Sequence, residues 1–418
     1  MSHGTGADVR VGSDTGTSSS LLARLTRATA QLDGPLAVVD LDRFDANADE
    51  LLARAGRAPV RLASKSVRVR ALADRALERG FRGVMAFSVR EASWLVAHGA
   101  RDVLVAYPSV DRGGLAELAG DEAARREITL MVDDAAHVQL LRQALDASPL
   151  GTGGPAVRLC LDVDASLRVG VGPFTAHLGT RRSPVHTARD AEALAARVTT
   201  ERGMSLRGVM FYEAQVAGLP DSSPAVRLVK RASLADLATR RREVVEAVGA
   251  VVGHDLELVN SGGTGSLETS SADPVVTEVT AGSGLYVPGL FDGYRAFRPR
   301  PAAFFGLDVV RVPAPGWATA FGGGYVASGP ASRTRLPQVT TPGWSLTGSE
   351  GAGEVQTPLH RSRRAGAGSA ELEVGDRVWF RHAKAGEMME RFDVVHLVRG
   401  DQVVDVVPTY RGEGRTFG

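Results

Sequence analysis

"RLASKSVRVRALADRALERG", residues 61–80, holds an apolar run, a lysine at its end, and a helix-forming stretch straight after it. A strand that feeds a helix through a short polar turn is one βα unit, and the same alternation recurs along the chain. The runs are "VRLAS" (60–64), "GVMAFS" (83–88), "DVLVAY" (102–107), "ITLMVD" (128–133), "VRLCLDV" (157–163), "LRGVMFY" (206–212), "LELVNS" (256–261) and "VVTEVT" (275–280). Between them lie stretches such as "VREASWLVAHGA" (89–100), whose apolar residues recur at three- and four-residue spacing. Continuous apolar character, rather than alternation, is what parallel strands covered on both faces require. Eight such runs separated by helices predict an α/β fold, a (β/α)8 TIM-type barrel, with a doubly wound open sheet as the alternative. Ser88, three residues before Glu91, predicts a capping box at one helix start.

Past residue 280 the helical periodicity fades. "FFGLDVVRVP" (304–313), "WATAFGGGYVAS" (317–328), "DRVWFRHA" (376–383), "DVVHLVRG" (393–400) and "QVVDVVPTY" (402–410) read as short strands joined by Gly, Pro and Asp turns. The expected division is a tail over residues 1–22, a barrel over 23–280, and a smaller, mostly β domain over 281–418. Residues 329–368, rich in Gly, Ser, Thr, Pro and Arg around Trp344, predict a loop-rich insertion. The first twenty residues are Gly, Ser, Thr and Asp-rich, predicting a disordered tail. No internal repeat is visible.

The 418 residues are 44% hydrophobic and 23% charged, with a formal net charge of +1, as in ordinary globular proteins. No basic stripe interleaved with aromatics is present to track a phosphate backbone, so nucleic acid is not an expected partner. No apolar run reaches the ~18 residues of a membrane helix, and no membrane partner is expected. Cys160 is the only cysteine, which rules out an intrachain disulfide and a cysteine-based zinc cluster and fits a reducing cytoplasm.

In a parallel barrel, chemistry sits at the carboxyl ends of the strands, where loops vary on a rigid frame. Lys65 falls at such an end, as do Asp162 with Arg168, Tyr212 with Glu213, and "NSGGTGS" (260–266). Alone, Lys65 reads equally as a solvated or ion-paired lysine. In the glycine stretch, Gly262, Gly263 and Gly265 strip side chains from a turn, so backbone N–H groups and the Thr264 hydroxyl can converge on an anion; a flexible turn is the competing reading. A lysine nucleophile at one strand end and a phosphate cradle at another suit pyridoxal phosphate, which forms an imine with a lysine.

The order of "LAVVDLDRFDANADEL" (36–51), "LASKSVRVRALA" (62–73), "GVMAFSVREASWLVAHGARDVLVAYP" (83–108), "LDVDASLRVGV" (161–171), "GVMFYEAQVAGL" (208–219) and "VNSGGTGSLE" (259–268) resembles the fold-type III pyridoxal-phosphate enzymes. Within them the chain is similar to the D-threonine aldolase and D-serine dehydratase group, built on an alanine racemase-type barrel. The resemblance makes Lys65 the cofactor lysine and the base that moves protons at Cα, and gives the phosphate to Gly262, Gly263, Thr264 and Gly265. Arg168 matches an arginine beside the cofactor ring, with a salt bridge to Asp162 or Asp164 as its alternative. Tyr212 matches a tyrosine facing the cofactor, although Ala214 replaces the glycine of the usual motif and Gln215 stands where a histidine is common.

The C-terminal stretch "GDRVWFRHAKAGEMMERFDVVHLVRGDQVVDVVPTYRGEG" (375–414) resembles the closing segment of the same group, where a histidine and an acidic or thiol residue two positions on bind a divalent metal, zinc or manganese. His382 matches that histidine, but Lys384 stands in place of the second ligand, and a protonated lysine repels a cation. Either the metal is absent or Glu387 supplies the ligand; without a metal, His382, Lys384 or Glu387 would serve the β-hydroxyl. An interface or core histidine is the other reading of His382. His98, His137, His177, His186 and His254 show no metal-ligand spacing. "TRRSP" (180–184) reads as a solvated loop, with binding of a substrate carboxylate by Arg181 or Arg182 as the alternative.

The resemblance implies a pyridoxal-phosphate lyase on a small β-hydroxy amino acid of D configuration, by retro-aldol cleavage or dehydration with deamination, working as a homodimer. An amino-acid racemase is the runner-up; its second base would be a tyrosine, with Tyr286, Tyr294, Tyr325 and Tyr410 as candidates. A carrier of the cofactor without turnover comes third, and a barrel with no cofactor last.

Overall fold

The computed structural model describes residues 15–417 apart from 171, 222, 296, 363–369 and 385. Eight parallel strands close a barrel: β1 (Val60–Ala63), β2 (Val84–Ala86), β3 (Val103–Val105), β4 (Ile128–Val132), β5 (Val157–Val163), β6 (Met204–Phe211), β7 (Leu258–Ser261) and β8 (Glu278–Ala281). Each of the eight apolar runs forms one of them. Closure comes from β8 pairing with β1, Val279 opposite Val60 and Ala281 opposite Leu62. Residues at alternate positions divide between two cores, as the strand period of two demands. Leu104, Met131, Cys160, Met210 and Leu258 fill the barrel interior, while Val103, Val105, Leu159 and Leu161 pack under the surrounding helices.

One charge lies inside the apolar run of β1. Arg61 is fully buried and donates from Nε and Nη2 to Glu278 at 2.6 and 2.8 Å, and from Nη2 to Asp102 at 2.7 Å. The Glu278 carboxylate also accepts from Asn260, whose Nδ2 lies 2.6 Å away. Paired on every side, the arginine ties β1, β7 and β8 together without leaving a bare charge in the core.

Several helices start on side-chain caps: Asp40, Asp111, Asp134 and Ser223 each accept a backbone N–H of the following turn. At Ser88 only half of the expected box forms. Its hydroxyl accepts from Glu91 N–H at 3.2 Å, but the Glu91 carboxylate turns to Phe87 N–H and to Tyr410.

The strand Leu36–Asp40, which a division at residue 280 leaves with the barrel, belongs to the second sheet. It lies antiparallel to Ala303–Ala314 and parallel to Val394–Arg399. Trp317–Phe321, Gln356–Arg361, Trp344–Leu346, Arg377–Arg381 and Gln402–Pro408 extend that sheet, and Phe305 stacks on Phe380 with ring centroids 5.0 Å apart. The expected loop insertion over 329–368 therefore contains three strands of the sheet, Gln338–Val339, Trp344–Leu346 and Gln356–Arg361, with Trp344 buried as its anchor; its residues 363–368 lie outside the described residues. The expected tail also shortens. Thr15–Ala28 is a helix that buries Leu21, Leu22 and Leu25 against Leu36, Val38, Phe304 and Trp379, while residues 1–14 lie outside the described residues. Among the described residues no helix is long and apolar enough to cross a membrane.

Candidate active site

β1 ends at Ala63, and Lys65 sits in the single 3-10 turn Ser64–Ser66 that follows it. The turn is held from two directions. On the barrel side, Ser64 Oγ donates to Met85 O at 2.9 Å. On the other, the C-terminal domain closes on it: Tyr410 N–H donates to Arg68 O at 2.9 Å, and the Tyr286 hydroxyl donates to Val67 O at 2.9 Å. Arg68 has a φ of 54°, a left-handed conformation unusual for a side chain of its size, and its guanidinium is ion-paired with Glu390 at 2.5 Å. Gly386 packs so close to Ser66 that a Cβ there would lie 2.5 Å from the Ser66 backbone.

Lys65 projects into a cavity of ≈ 170 Å³ at the carboxyl end of the barrel. Its Nζ donates to the Tyr107 hydroxyl at 2.7 Å. Burial would raise the pKa of that phenol, but the positive charges of Lys65 and Arg182 outweigh burial and bring it below the ordinary tyrosine value. Tyr212 lines the same cavity, and there burial wins and raises its pKa. The Arg182 guanidinium lies 5.1 Å from the Tyr107 ring centroid and 5.3 Å from that of Tyr212. It also donates to Ala106 O at 3.1 Å and reaches Asp162 at 3.4 Å. Burial raises the Asp162 carboxyl to about 6 despite that arginine.

The glycine stretch lines the same cavity and adjoins the Tyr212 ring. Gly262 has a φ of +88°, a Cβ on Gly263 would meet the Ala217 Cβ at 2.9 Å, and one on Gly265 would meet the Tyr294 ring at 2.4 Å. The loop is pinned from below by Glu213, fully buried, which accepts from Ser261 Oγ, Gly262 N–H, Ser266 Oγ and Ser270 Oγ at 2.5–3.2 Å. Gly262, Gly263 and Thr264 line the cavity.

The structure thus gathers Lys65, Tyr212, Gly262, Gly263 and Thr264 around one space, with Gly265 packed behind it. Arg168 it sets apart. That residue lies on the hairpin Leu167–Val169 with Ala176–Leu178, 37% of its side chain is exposed, and its Nη2 bonds Asp164 at 2.6 Å. Burial alone would raise Asp164, but His186, Ser166 and Arg168 hold its pKa well below the usual carboxylate range. His382 is buried in a neighbouring cavity with Arg68, Tyr325 and Glu387, edge-on to the Tyr286 ring. Tyr107 and Arg182 are the residues that sequence reasoning did not place at the centre. Tyr107 closes the run "DVLVAY" at a strand end, a position that could have flagged it, whereas nothing in "TRRSP" marks Arg182 over Arg181.

The space fits pyridoxal phosphate by the chemistry of its lining. A lysine stands at one strand end, a glycine loop and a hydroxyl at another, and no described carboxylate lines the cavity. Among the described residues no group of three or more His, Cys, Asp or Glu side chains is arranged to hold a divalent metal. Both Glu387 carboxylate oxygens are taken by Ser328, through N–H at 2.8 Å and Oγ at 2.5 Å.

Comparison with known proteins agrees with this geometry. A D-threonine aldolase of Arthrobacter sp is 27% identical over 293 residues, 68% of this chain and 70% of that protein. The crystal structure of D-threonine aldolase from Filomicrobium marinum superposes with a TM-score of 0.75 at 23% identity, covering 92% of this chain and 96% of the other. D-threo-3-hydroxyaspartate dehydratase from Delftia sp. HT23 gives 0.69 at 23% identity, over 90% and 97%. The model of the alanine racemase N-terminal domain matches residues 39–288, more than half of the sequence, and the chain belongs to that family.

Proposed function

We propose that the protein is a pyridoxal-phosphate-dependent lyase acting on a D-β-hydroxy amino acid, by retro-aldol cleavage or by dehydration with deamination. The observation that carries the reading is the single cavity shared by Lys65, Tyr212 and the loop Gly262–Gly263–Thr264. The likeness to D-threonine aldolases and to a D-threo-3-hydroxyaspartate dehydratase supports the reaction class.

Lys65 would hold the cofactor, and Thr264 with the loop backbone would hold its phosphate. When bound, the cofactor draws electrons away from the substrate's α carbon. The chain's own groups do the remaining work. The Tyr107 hydroxyl fixes the Lys65 amine at 2.7 Å, keeping it aimed into the cavity when it takes up or returns a proton at Cα. Tyr212, whose ring adjoins Gly263, and Arg182 wall the cavity beside Lys65, and the Arg182 fork suits a substrate carboxylate. Pro288, Leu290 and Phe291, which follow the barrel in sequence, complete the wall and exclude water. The reading carries a small amino acid as substrate and a homodimer in the cytoplasm, where a lone buried thiol such as Cys160 stays reduced.

The racemase reading is less well supported because three of the four candidate tyrosines are committed. Tyr286, Tyr294 and Tyr410 donate to Val67 O, Ala217 O and Glu91 at 2.9, 2.8 and 3.0 Å. Tyr325 packs between Phe305 and Phe392. A carrier without turnover leaves unexplained why a second domain clamps the Lys65 turn. The test is a panel of D-β-hydroxy amino acids given to the cofactor-loaded protein. Aldehyde plus glycine, or an α-keto acid plus ammonia, is the expected product; neither from any member overturns the reading. Solvent deuterium entering Cα with loss of optical rotation and no bond cleavage would favour the racemase.

A further inference from the structure

Three cations line the Lys65 cavity, namely Lys65, Arg182 and Lys384, and no described carboxylate lines it with them. Their surroundings differ. Lys65 is engaged with Tyr107. Arg182 shares its charge with Asp162 and lies between two aromatic rings. Lys384 comes from the C-terminal domain, lines both this cavity and the one that holds His382, and makes no ion pair among the described residues. Its only partner there is Ser328, at 3.3 Å from Oγ and 3.4 Å from O, distances at the long end for a hydrogen bond.

A substrate of the class proposed above, on which this inference rests, presents a carboxylate on its α carbon and an oxygen on its β carbon. The planar fork of an arginine matches the two oxygens of a carboxylate, whereas an ammonium is a point charge with three rotatable donors, suited to one oxygen. Two cations with two geometries therefore sort onto two groups. We propose that the Lys384 ammonium receives the oxygen on the substrate's β carbon, supplying there the positive charge that a divalent ion would otherwise supply, while Arg182 receives the carboxylate. Lys384 acts by charge and hydrogen bonding on that oxygen; no described carboxylate lines the Lys65 cavity, and Glu387 in the adjoining cavity is bound to Ser328. The donor set nearby agrees: the Glu387 carboxylate is spent on Ser328, and a cation next to the Lys384 ammonium would be repelled.

The experiment measures binding rather than turnover. D-threonine and D-2-aminobutyrate differ by the β-hydroxyl alone, and their binding to the cofactor-loaded protein is followed by the cofactor's absorbance in the rapid phase before turnover, by stopped flow, with and without EDTA. Wild type is expected to prefer D-threonine by about tenfold or more, the range of a hydrogen bond to a charged group, and EDTA is expected to leave that preference unchanged. Lys384→Met is expected to bring the preference close to one, and Lys384→Arg to restore part of it, with thermal unfolding of each variant reporting that it is folded. The proposal is overturned by an undiminished preference in Lys384→Met, by no preference in wild type, by equal weakening of both ligands, which would assign Lys384 to the carboxylate, or by a preference lost in EDTA and restored by manganese or zinc. A preference that depends on Lys384 in a protein releasing no cleavage or elimination product would overturn the lyase reading and leave this one standing. Product release with the preference intact in Lys384→Met would do the reverse.

Discussion

The Tyr410 hydroxyl donates to Glu91 Oε1 at 3.0 Å, joining the C-terminal domain to the barrel under the turn that carries Lys65. Glu91 is fully buried, and burial raises its carboxyl from 4.5 to about 7 although Ser64, Phe87 and Tyr410 donate to it. The folded protein therefore keeps this proton at pH values where the unfolded chain has lost it. The contribution of Glu91 to stability declines as pH rises from about 4.5 to about 7 and is constant above, by at most about 3 kcal/mol. Glu91→Gln keeps the shape and removes the titration. The drop in urea midpoint between about pH 5 and about pH 8 should shrink in that variant; an unchanged drop would assign the slope to other groups.

Lys65→Ala should abolish the visible absorption of the cofactor-loaded protein near ~420 nm, which borohydride should bleach in wild type. Tyr107→Phe should keep the band but shift its pH dependence, because it removes the hydroxyl 2.7 Å from Nζ. A Lys65→Ala protein that retains the band would place the attachment on another residue.

Gly263→Ala puts a methyl 2.9 Å from the Ala217 Cβ, under the distance real Cβ atoms tolerate. The loop must move, and with it the groups assigned to the phosphate. Titration of the apoprotein should show cofactor affinity falling by about tenfold or more. Gly120→Ala, which meets nothing within 4 Å, is the control and should leave affinity alone. Equal affinity in both would take the phosphate away from this loop.

Asp162 sits at about 6 because burial raises it. As pH falls through that value the carboxylate is neutralised, Arg182 loses its competing anion, and affinity for an amino-acid carboxylate should rise severalfold. Asp162→Asn should bind more tightly at neutral pH and lose this pH dependence. Binding that weakens on acidification would show that Asp162 instead positions Arg182.

The barrel was legible because strands buried on both faces must be apolar throughout, and that leaves eight continuous runs in the sequence. Lys65 and the glycine loop were legible for a related reason: each stands at the end of such a run, where a barrel puts its chemistry. The partners of Leu36–Asp40 were not, since Ala303–Ala314 and Val394–Arg399 arrive from the far end of the chain and an apolar strand does not name its neighbour. Nor was the choice between arginines. Arg168 and Arg182 lie on one connection between β5 and β6, and only the folded path of that connection, with Asp164 taking the first and two aromatic rings receiving the second, decides which faces Lys65. Periodicity and strand ends determined the frame and the positions of Lys65 and the glycine loop, because burial acts on each segment locally. Which charges share the cavity was left to the tertiary structure, because electrostatic partners are set by distance in space and not along the chain.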